Sequence, residues 1–165
     1  MMSNSNHPFW RNLFRKNSDQ THEITEMWMQ TPLFENIPYR RCRELVGNMH
    51  PREYRADETI FNAGDIGASV VLIRHGEVEI RTGDQILAEL VSGDFFGEIA
   101  LIIDEPRTAK AVATKNSELI FFLRSDLEEW IQRSPKDGAQ FMLNISRILA
   151  ARLKQTNQLI SSQES

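Results

Sequence analysis

The spacing of apolar residues divides the chain into three stretches. Over residues 6–50 apolar side chains recur at helical spacing, and Pro38 opens the last helix of this stretch. Over residues 52–123 apolar and polar residues alternate in short segments separated by glycine, which is typical of strands joined by tight turns. From Ser125 the helical period returns. The sequence therefore predicts a β-rich domain with helices at both ends.

The middle stretch has the character of a sandwich or barrel of the jelly-roll type. Short apolar segments follow one another at regular spacing, with turns predicted at His75-Gly76 and at Gly83-Asp84. The last two segments, residues 109–114 and 118–123, are predicted to form a closing pair of strands.

The C-terminal stretch predicts two helices. Ser125 followed by Glu128 is a capping-box pattern at the start of the first one. Pro135 and Gly138 are expected to interrupt the helical pattern, and a long helix is predicted over residues 139–160.

Composition and charge exclude several functional classes. The net charge of −4 argues against a general role on nucleic acid, where positive charge supplies most of the affinity. The single cysteine, Cys42, allows no intrachain disulfide and is predicted to be a small buried core residue. No apolar run is long enough to span a membrane and no secretory signal precedes the first helix, so we expect a cytoplasmic protein.

A metal-dependent enzyme of the cupin type is an alternative, because cupins also use a jelly roll. Such sites need clustered histidines and a carboxylate. The four histidines are His7, His22, His50 and His75, and no two of them have the spacing of metal ligands. No nucleophile with a paired base and no phosphate-binding loop of the nucleotide hydrolases is visible either. We therefore expect a protein that is not an enzyme and has no metal or cofactor.

The segment that carries chemistry is GDFFGEIALIIDEPRTAKAV, residues 93–112. Gly97 permits a tight turn, and a short helix predicted over residues 98–102 would direct backbone N–H groups toward it. Arg107 would place a guanidinium opposite these donors, as a phosphate diester requires. Glu98 would repel a bare phosphate, so the ligand should also offer a hydroxyl donor. On spacing alone, an ordinary surface ion pair between Glu98 and Arg107 remains the alternative.

The same segment resembles the phosphate-binding cassette of the cyclic nucleotide-binding domain family. The family pattern F-G-E-[IL]-A-L, followed by P-R-[TSA]-A, is matched by FGEIAL at residues 96–101 and by PRTA at residues 106–109. Three flanking segments are similar to the family as well: TPLFENIP (31–38), IFNAGDIG (60–67) and LIRHGEVEI (72–80). The resemblance extends from Thr31 to about Gln158.

This resemblance implies a fold and a domain organisation. The fold class would be mainly β, an eight-stranded jelly-roll-like β-roll with N-terminal helices and a C-terminal helical lid. Residues 1–30 would form a helical extension, residues 31–160 the binding domain, and residues 161–165 a disordered tail. The function implied is that of a cyclic nucleotide sensor without catalytic activity.

The resemblance also implies roles for individual residues. Arg107 would pair with the cyclic phosphate, and Glu98 would accept a hydrogen bond from the ribose 2′-hydroxyl. The rest of the phosphate cradle would be formed by Gly97, Ile99, Ala100, Thr108 and Ala109. Ile80 and Leu87 would form an apolar wall near the base, and Arg152, Thr156 and Asn157 would cap it. The hydroxyl of Thr108 occurs with both nucleotides in the family, and we favour cyclic AMP over cyclic GMP. A cyclic di-GMP-responsive variant and a ligand-independent interaction module are the alternatives.

The signal of ligand binding is expected to be transmitted to an effector protein or through a dimer. About five residues follow the predicted C-terminal helix, so we expect no DNA-reading domain. Along that helix a seam of heptad type favours a homodimer over packing on the chain's own β-roll; it consists of Met142, Ile145, Leu149, Arg152 or Leu153, Thr156 and Ile160. The aromatic and basic stretch that begins at Phe9 and ends at Lys16 could lie on an anionic membrane surface or dock on a partner, but packing on the domain is favoured.

Overall fold

The computed structural model describes residues 8–163 of the chain, and the side chains of residues 19–158. Four α-helices flank the strands: α1 (Pro8–Met29), α2 (Tyr39–Val46), α3 (Arg124–Arg133) and α4 (Pro135–Gln163). The strands are β1 (His50–Tyr54), β2 (Thr59–Phe61), β3 (Ser69–His75), β4 (Glu77–Thr82), β5 (Gln85–Val91), β6 (Phe95–Phe96), β7 (Lys110–Ala113) and β8 (Ser117–Leu123). Two short 3-10 helices cover Pro32–Phe34 and Glu98–Leu101.

The strands form two antiparallel four-stranded sheets, with the orders β1-β8-β3-β6 and β2-β7-β4-β5. The expected mainly-β roll with flanking helices is thereby confirmed. The predicted closing pair is wrong, because β7 pairs with β2 and β4 whereas β8 pairs with β1 and β3. A period-two pattern identifies a strand but does not identify its partner, so consecutive strands can lie in different sheets.

Strand β3 explains the continuous apolar run in the middle of the sequence. Val71 and Ile73 lie in a core cluster between the two sheets, together with Val78 and Phe96. The alternate residues of β3, including Leu72, lie in a second cluster between the sheet and the helices. A strand buried on both faces loses the polar alternation of a half-exposed one.

The second cluster is built around fully buried aromatic side chains. The ring of Trp28 in α1 lies 5.8 Å from that of Phe34 and 6.4 Å from that of Phe122, measured between centroids. Cys42 belongs to the same cluster, and burial raises the pKa of its thiol to about 12. The prediction that Cys42 is a buried core residue is confirmed.

The C-terminal helices begin earlier than the sequence predicts. Helix α3 starts at Arg124, directly after β8, and no side chain caps its first turn, so the capping box at Ser125 is wrong. The N–H of Arg124 donates to the carbonyl of Ala68 at 2.8 Å, and this tertiary contact fixes the start. Helix α4 begins at Pro135 and continues through Gly138, where an added Cβ would lie 2.8 Å from Ile131 Cγ1. Gly138 therefore permits close packing of α3 on α4 and does not break the helix.

Helix α4 leaves the domain partway along its length. Asn144 is buried, and its side-chain amide donates to the carbonyls of Leu33 and Glu35 at 2.9 and 2.8 Å. Ile145 lies in the core and Leu149 packs against it, whereas every side chain over residues 150–158 is exposed. The predicted seam is thus divided, since its first half packs on the chain's own domain. Leu153 is 62% exposed.

Two predictions fall on residues whose side chains are outside the described range. The stretch from Phe9 to Lys16 has a helical backbone as part of α1, but its side-chain contacts lie outside the described residues. The same holds for Ile160 of the seam. Helix α4 continues to Gln163, so the first three residues of the predicted tail are helical, and its last two residues lie outside the described residues. Over the part of the chain that the structure describes, none of the helices combines the length and apolarity needed to cross a membrane.

Candidate functional site

The site begins at a left-handed glycine at the end of β6. Gly97 has φ 79°, and an added Cβ would lie 2.5 Å from Nη1 of Arg107. Both the backbone conformation and the space therefore require glycine here. The following 3-10 helix, Glu98–Leu101, confirms the predicted short helix but is a single turn. A turn of this length provides little helix dipole, so the attraction for an anion has to come mainly from side chains.

The backbone of Arg107 is held by the loop between β2 and β3. The N–H of Gly64 donates to the carbonyl of Arg107 at 2.8 Å, and the N–H of Arg107 donates to the carbonyl of Asp65 at 2.7 Å. An isolated antiparallel bridge between Ile66 and Pro106 extends this pairing. The arginine is therefore positioned by two hydrogen bonds to a loop that lies about 40 residues earlier in the chain.

The guanidinium of Arg107 points into the protein and not into bulk solvent. Its Nη2 donates to the carbonyl of Ser69 at 2.8 Å, and its Nη1 donates to the carbonyl of Gly97 at 3.3 Å. Its Cζ lies 4.3 Å from the centroid of the Phe61 ring. Burial lowers the pKa of Arg107, and the nearby charge of Glu98 opposes this shift. Within the described side chains, no carboxylate forms an ion pair with this cation.

Glu98 is the buried carboxylate of the site, at 1% exposure. Its Oε1 accepts a hydrogen bond from Nη1 of Arg152 in α4. Its Oε2 is buried and has no hydrogen-bond partner among the described residues. The alternative of a surface ion pair between Glu98 and Arg107 is wrong, because the partner of Glu98 is Arg152, which lies 54 residues later.

Arg107 and Glu98 together place an anion-binding group and a hydrogen-bond acceptor in one site. A partly desolvated guanidinium whose donors are only partly used attracts an anion more strongly than an exposed one does. A buried carboxylate oxygen without a donor favours a hydroxyl or amine ligand, because an unsatisfied buried acceptor costs free energy. The arrangement therefore suits a ligand that carries a negative charge and a hydroxyl close together.

The other residues of the predicted cradle lie in the same two segments. Ala100 is buried and Ile99 is exposed in the 3-10 turn. Thr108 is exposed and Ala109 is half-buried in the bend between Arg107 and β7. Their contacts with a ligand stay predictions.

The two predicted wall residues occupy different environments. Ile80 of β4 is half-buried and packs against the cluster between the sheets. Leu87 lies at a β-bulge, since Ile80 pairs with Ala88 and Arg81 pairs with Ile86. As the extra residue of the bulge, Leu87 is 52% exposed.

The predicted cap residues lie along α4. Arg152 reaches the cassette through Glu98, and its Cζ lies 6.0 Å from the centroid of the Phe95 ring. Thr156 and Asn157 follow one turn later on the exposed part of the helix, where the Thr156 hydroxyl donates to the carbonyl of Arg152 at 3.0 Å. A contact between these two side chains and a base stays a prediction. Among the described residues, no group of His, Cys, Asp and Glu is arranged to hold a metal ion.

The sequence did not indicate three residues that surround Arg107. Phe61, Gly67 and Ser69 all contact its side chain or would do so with an added methyl group. Nothing in the local pattern around Phe61 and Ser69 identifies them, because each is separated from Arg107 by about 40 residues of β-roll. Gly67 is the one of the three that could have been singled out, because a glycine can mark a position where small size permits close approach.

Comparison with known proteins gives a consistent result. The sequence model of the family described as "cyclic nucleotide-binding domain" matches residues 51–134, just over half of the chain. The cyclic AMP receptor protein of Thermus thermophilus is 30% identical over 132 residues, which cover 77% of this chain and 59% of that protein. A cGMP-dependent protein kinase of Plasmodium berghei is 35% identical over 85 residues, covering 52% of this chain and 10% of the kinase.

Solved structures agree with the sequence comparison. A cyclic nucleotide-binding domain from Methylobacillus flagellatus superimposes with a TM-score of 0.74 at 25% identity, covering 88% of this chain and 84% of that one. The chain spans only 10% to 59% of the length of the first relatives it matches. The sequence match includes both Glu98 and Arg107 and ends before α4. This chain belongs to the cyclic nucleotide-binding domain family.

Proposed function

We propose that the chain binds a cyclic mononucleotide between Arg107 and Glu98 and acts as a sensor. Arg107 would pair with the cyclic phosphate, and Glu98 would accept from the ribose 2′-hydroxyl. The observation that carries this proposal is the buried Oε2 of Glu98, which has no partner among the described residues although a desolvated cation lies nearby. A phosphate with an adjacent sugar hydroxyl supplies both missing interactions.

We propose cyclic AMP as the preferred ligand, with cyclic GMP as the competitor. The relatives named above include a cyclic AMP receptor protein and a cGMP-dependent protein kinase, so relatedness alone does not choose between the two. The exposed hydroxyl of Thr108 lies next to Arg107 and suits either nucleotide. Selection of the base would have to come from α4 and from the wall formed by Ile80 and Leu87.

The sensor would act without chemical turnover. Binding would be reported by α4, because Arg152 joins this helix directly to the ligand-binding carboxylate. A ribose hydroxyl and Arg152 would share Glu98, so the ligand would change the free energy of docking α4 by its differential affinity for the two helix positions. Movement of α4 would then change what an effector protein in the cytoplasm can bind.

The exposed end of α4 would also serve as a dimer contact. Arg152 or Leu153, followed by Thr156, continues the seam beyond the point where the helix leaves its own domain. A large apolar side chain such as Leu153, at 62% exposure, favours a partner helix. Sedimentation velocity is expected to show a dimer that Leu153→Glu dissociates, with Lys154→Glu on another face of the helix as the control. A wild-type monomer at all concentrations up to about 0.1 mM would exclude this contact.

The experiment for ligand binding is calorimetry with a panel of nucleotides. Cyclic AMP, cyclic GMP, cyclic di-GMP, 2′-deoxy cyclic AMP and linear 5′-AMP would be titrated into the full chain. We expect cyclic AMP to bind most tightly and the 2′-deoxy analogue to lose about 1.5–3 kcal/mol, the usual contribution of a hydrogen bond to a charged group.

A variant of the carboxylate separates the two parts of the site. Glu98→Gln is expected to remove most of the difference between cyclic AMP and its 2′-deoxy analogue, because the charged acceptor is gone. Glu105→Gln, an exposed carboxylate in the same segment, is the matched control and should keep the difference. If no cyclic nucleotide binds or raises the melting temperature, the chain acts as a ligand-independent module.

A further inference from the structure

The guanidinium of Arg107 lies over the face of an aromatic ring. Its Cζ is 4.3 Å from the centroid of Phe61, the last residue of β2, and the ring itself packs 5.9 Å from that of Phe96. A cation at this distance over a ring is attracted by the negative face, and the attraction grows when water is excluded. Phe61 thus compensates part of the desolvation that lowers the pKa of Arg107.

Gly67 confines the same side chain from a second direction. An added Cβ at this position would lie 3.0 Å from Nε of Arg107 and 3.0 Å from Cβ of Ala100. Gly67 does not have a positive φ, so space and not backbone conformation is what its missing side chain provides. The stem of Arg107 therefore runs through a slot with Phe61 on one side and Gly67 on another.

The slot determines which donors of Arg107 remain for a ligand. Nε faces the slot and is buried, with no acceptor among the described residues. Nη1 uses one donor on the carbonyl of Gly97, whereas Nη2 donates to the carbonyl of Ser69 at 2.8 Å and to its hydroxyl at 3.4 Å. Since each terminal nitrogen of an arginine carries two hydrogens, Nη1 keeps one donor for a ligand, and the second donor of Nη2 is held only by the long contact to the Ser69 hydroxyl, which an anion can replace. These two donors form the fork that a bidentate anion requires.

We infer that Phe61 and Gly67 are the positioning residues of this site: they hold the Arg107 guanidinium so that its terminal fork faces the ligand. The inference rests on the proposed function for the identity of the ligand. The contact between ring and guanidinium is independent of it and can be measured without any nucleotide.

The binding test compares the ring with an aliphatic side chain of similar volume. Calorimetry with cyclic AMP is expected to show about five- to thirtyfold weaker binding for Phe61→Leu, the fold-change that corresponds to a desolvated cation–π contact. Phe61→Tyr retains the face of the ring and should bind within about twofold of wild type. Equal affinity of wild type and Phe61→Leu would overturn the inference.

A double variant shows whether Phe61 acts through Arg107. In the Arg107→Lys background, Phe61→Leu is expected to change the affinity by less than about twofold, because the planar guanidinium that stacks on the ring is already gone. The same loss in both backgrounds would show that Phe61 contributes independently of Arg107 and would overturn the positioning role.

The glycine is tested by a single methyl group. Gly67→Ala is expected to weaken cyclic AMP binding about five- to tenfold, because the methyl displaces Arg107 or Ala100 from close contact. Gly47→Ala is the matched control, since Gly47 also has an ordinary backbone conformation and an added Cβ there has its nearest contact at 3.5 Å. An unchanged affinity of Gly67→Ala for cyclic AMP would show that Gly67 does not position Arg107.

Nuclear magnetic resonance tests the contact in the free protein. The Nε–H signal of Arg107, assigned by its loss in Arg107→Lys, should be shifted upfield by the Phe61 ring and return toward its usual position in Phe61→Leu. If the wild type binds none of the nucleotides but shows this shift, the proposed ligand is wrong and the slot around Arg107 is still supported. If the shift is absent, the slot is wrong even when cyclic AMP binds.

Discussion

Two arginines lie partly buried on the same β-roll, and their partners differ. Arg74, on β3, donates to Glu23 of α1 and to Glu118 of β8, each at 2.7 Å, and these contacts raise its pKa. Arg107 donates to the carbonyls of Gly97 and Ser69 and to the Ser69 hydroxyl, it lies against an aromatic ring, and burial lowers its pKa. The Nε of both lacks a partner within the described structure, so the difference lies in the terminal nitrogens.

The difference separates an arginine that stabilises the fold from one that is available to bind. The charge of Arg74 is already neutralised by two carboxylates, which join helix α1 to the roll. The charge of Arg107 has no direct counter-ion among the described residues, and an unpaired buried charge is unfavourable until an anion arrives. Methionine at each position retains the apolar stem and removes the charge, which makes Arg74→Met and Arg107→Met a matched pair.

The largest expected effect is on ligand affinity. Arg107→Met should lose about 2–5 kcal/mol of cyclic AMP binding, the range for removing one partner of a buried charge pair. Arg74→Met should bind within about twofold of wild type, because Arg74 lies outside the cassette. Calorimetry on both variants measures this, and equal losses in the two would abolish the distinction between the arginines.

The next largest effect is on stability, to which Arg74 should contribute more than Arg107. Arg74→Met should lower the free energy of unfolding by roughly 1–3 kcal/mol, between the values for exposed and buried ion pairs, because Glu118 and Glu23 lose their shared partner. Urea denaturation followed by circular dichroism gives the value. If the urea midpoint of Arg74→Met equals that of the wild type, the two ion pairs contribute nothing measurable to stability.

A smaller effect on stability is expected at the other arginine. Arg107→Met leaves the carbonyls of Ser69 and Gly97 without their donor, but it also removes a desolvated charge. These contributions oppose each other, so the free energy of unfolding should change by less than about 1 kcal/mol. The same denaturation experiment decides it, and a loss as large as that of Arg74→Met would assign Arg107 a structural role.

The smallest effect concerns pH. The hydrogen bond from Arg74 lowers the pKa of Glu23 in the folded protein. The stabilisation from this ion pair is therefore complete at pH values above the ordinary glutamate pKa of about 4.3. It is lost as the pH falls through the lowered pKa of Glu23 in the folded protein. Glu23 is partly exposed, so the contribution should be below about 1 kcal/mol. Glu23→Gln should be less stable than wild type at pH 6, and the two midpoints should converge near pH 3; a gap independent of pH would contradict the ion pair.

Features that depend on neighbours in the sequence could be predicted. The turns at Gly76 and Gly97 both have positive φ, and at each an added side chain would meet another segment. Strand positions followed from alternation, and the cassette residues followed from a pattern that is local in sequence. The regular period of α4 identified a helix, although Pro135 turned out to be its first residue.

Features that depend on tertiary contacts could not be predicted. Neither the pairing of β7 with β4 nor the contact between Arg152 and Glu98 leaves a local signal. Likewise Phe61 has the spacing of an ordinary strand residue, and only the folded roll places it over Arg107. The capping signal at Ser125 was overridden because Ala68 holds the N–H of the preceding residue.

The point at which α4 leaves the domain has a mechanical consequence. The part of α4 from residue 150 to its end at Gln163 is about 20 Å long at the usual rise of an α-helix, and Arg152 lies near the start of this part. A rigid rod pivoting near its base moves its free tip much further than the residue at the pivot. A small displacement of Arg152 beside Glu98 would therefore produce a larger displacement at the C-terminal end of α4.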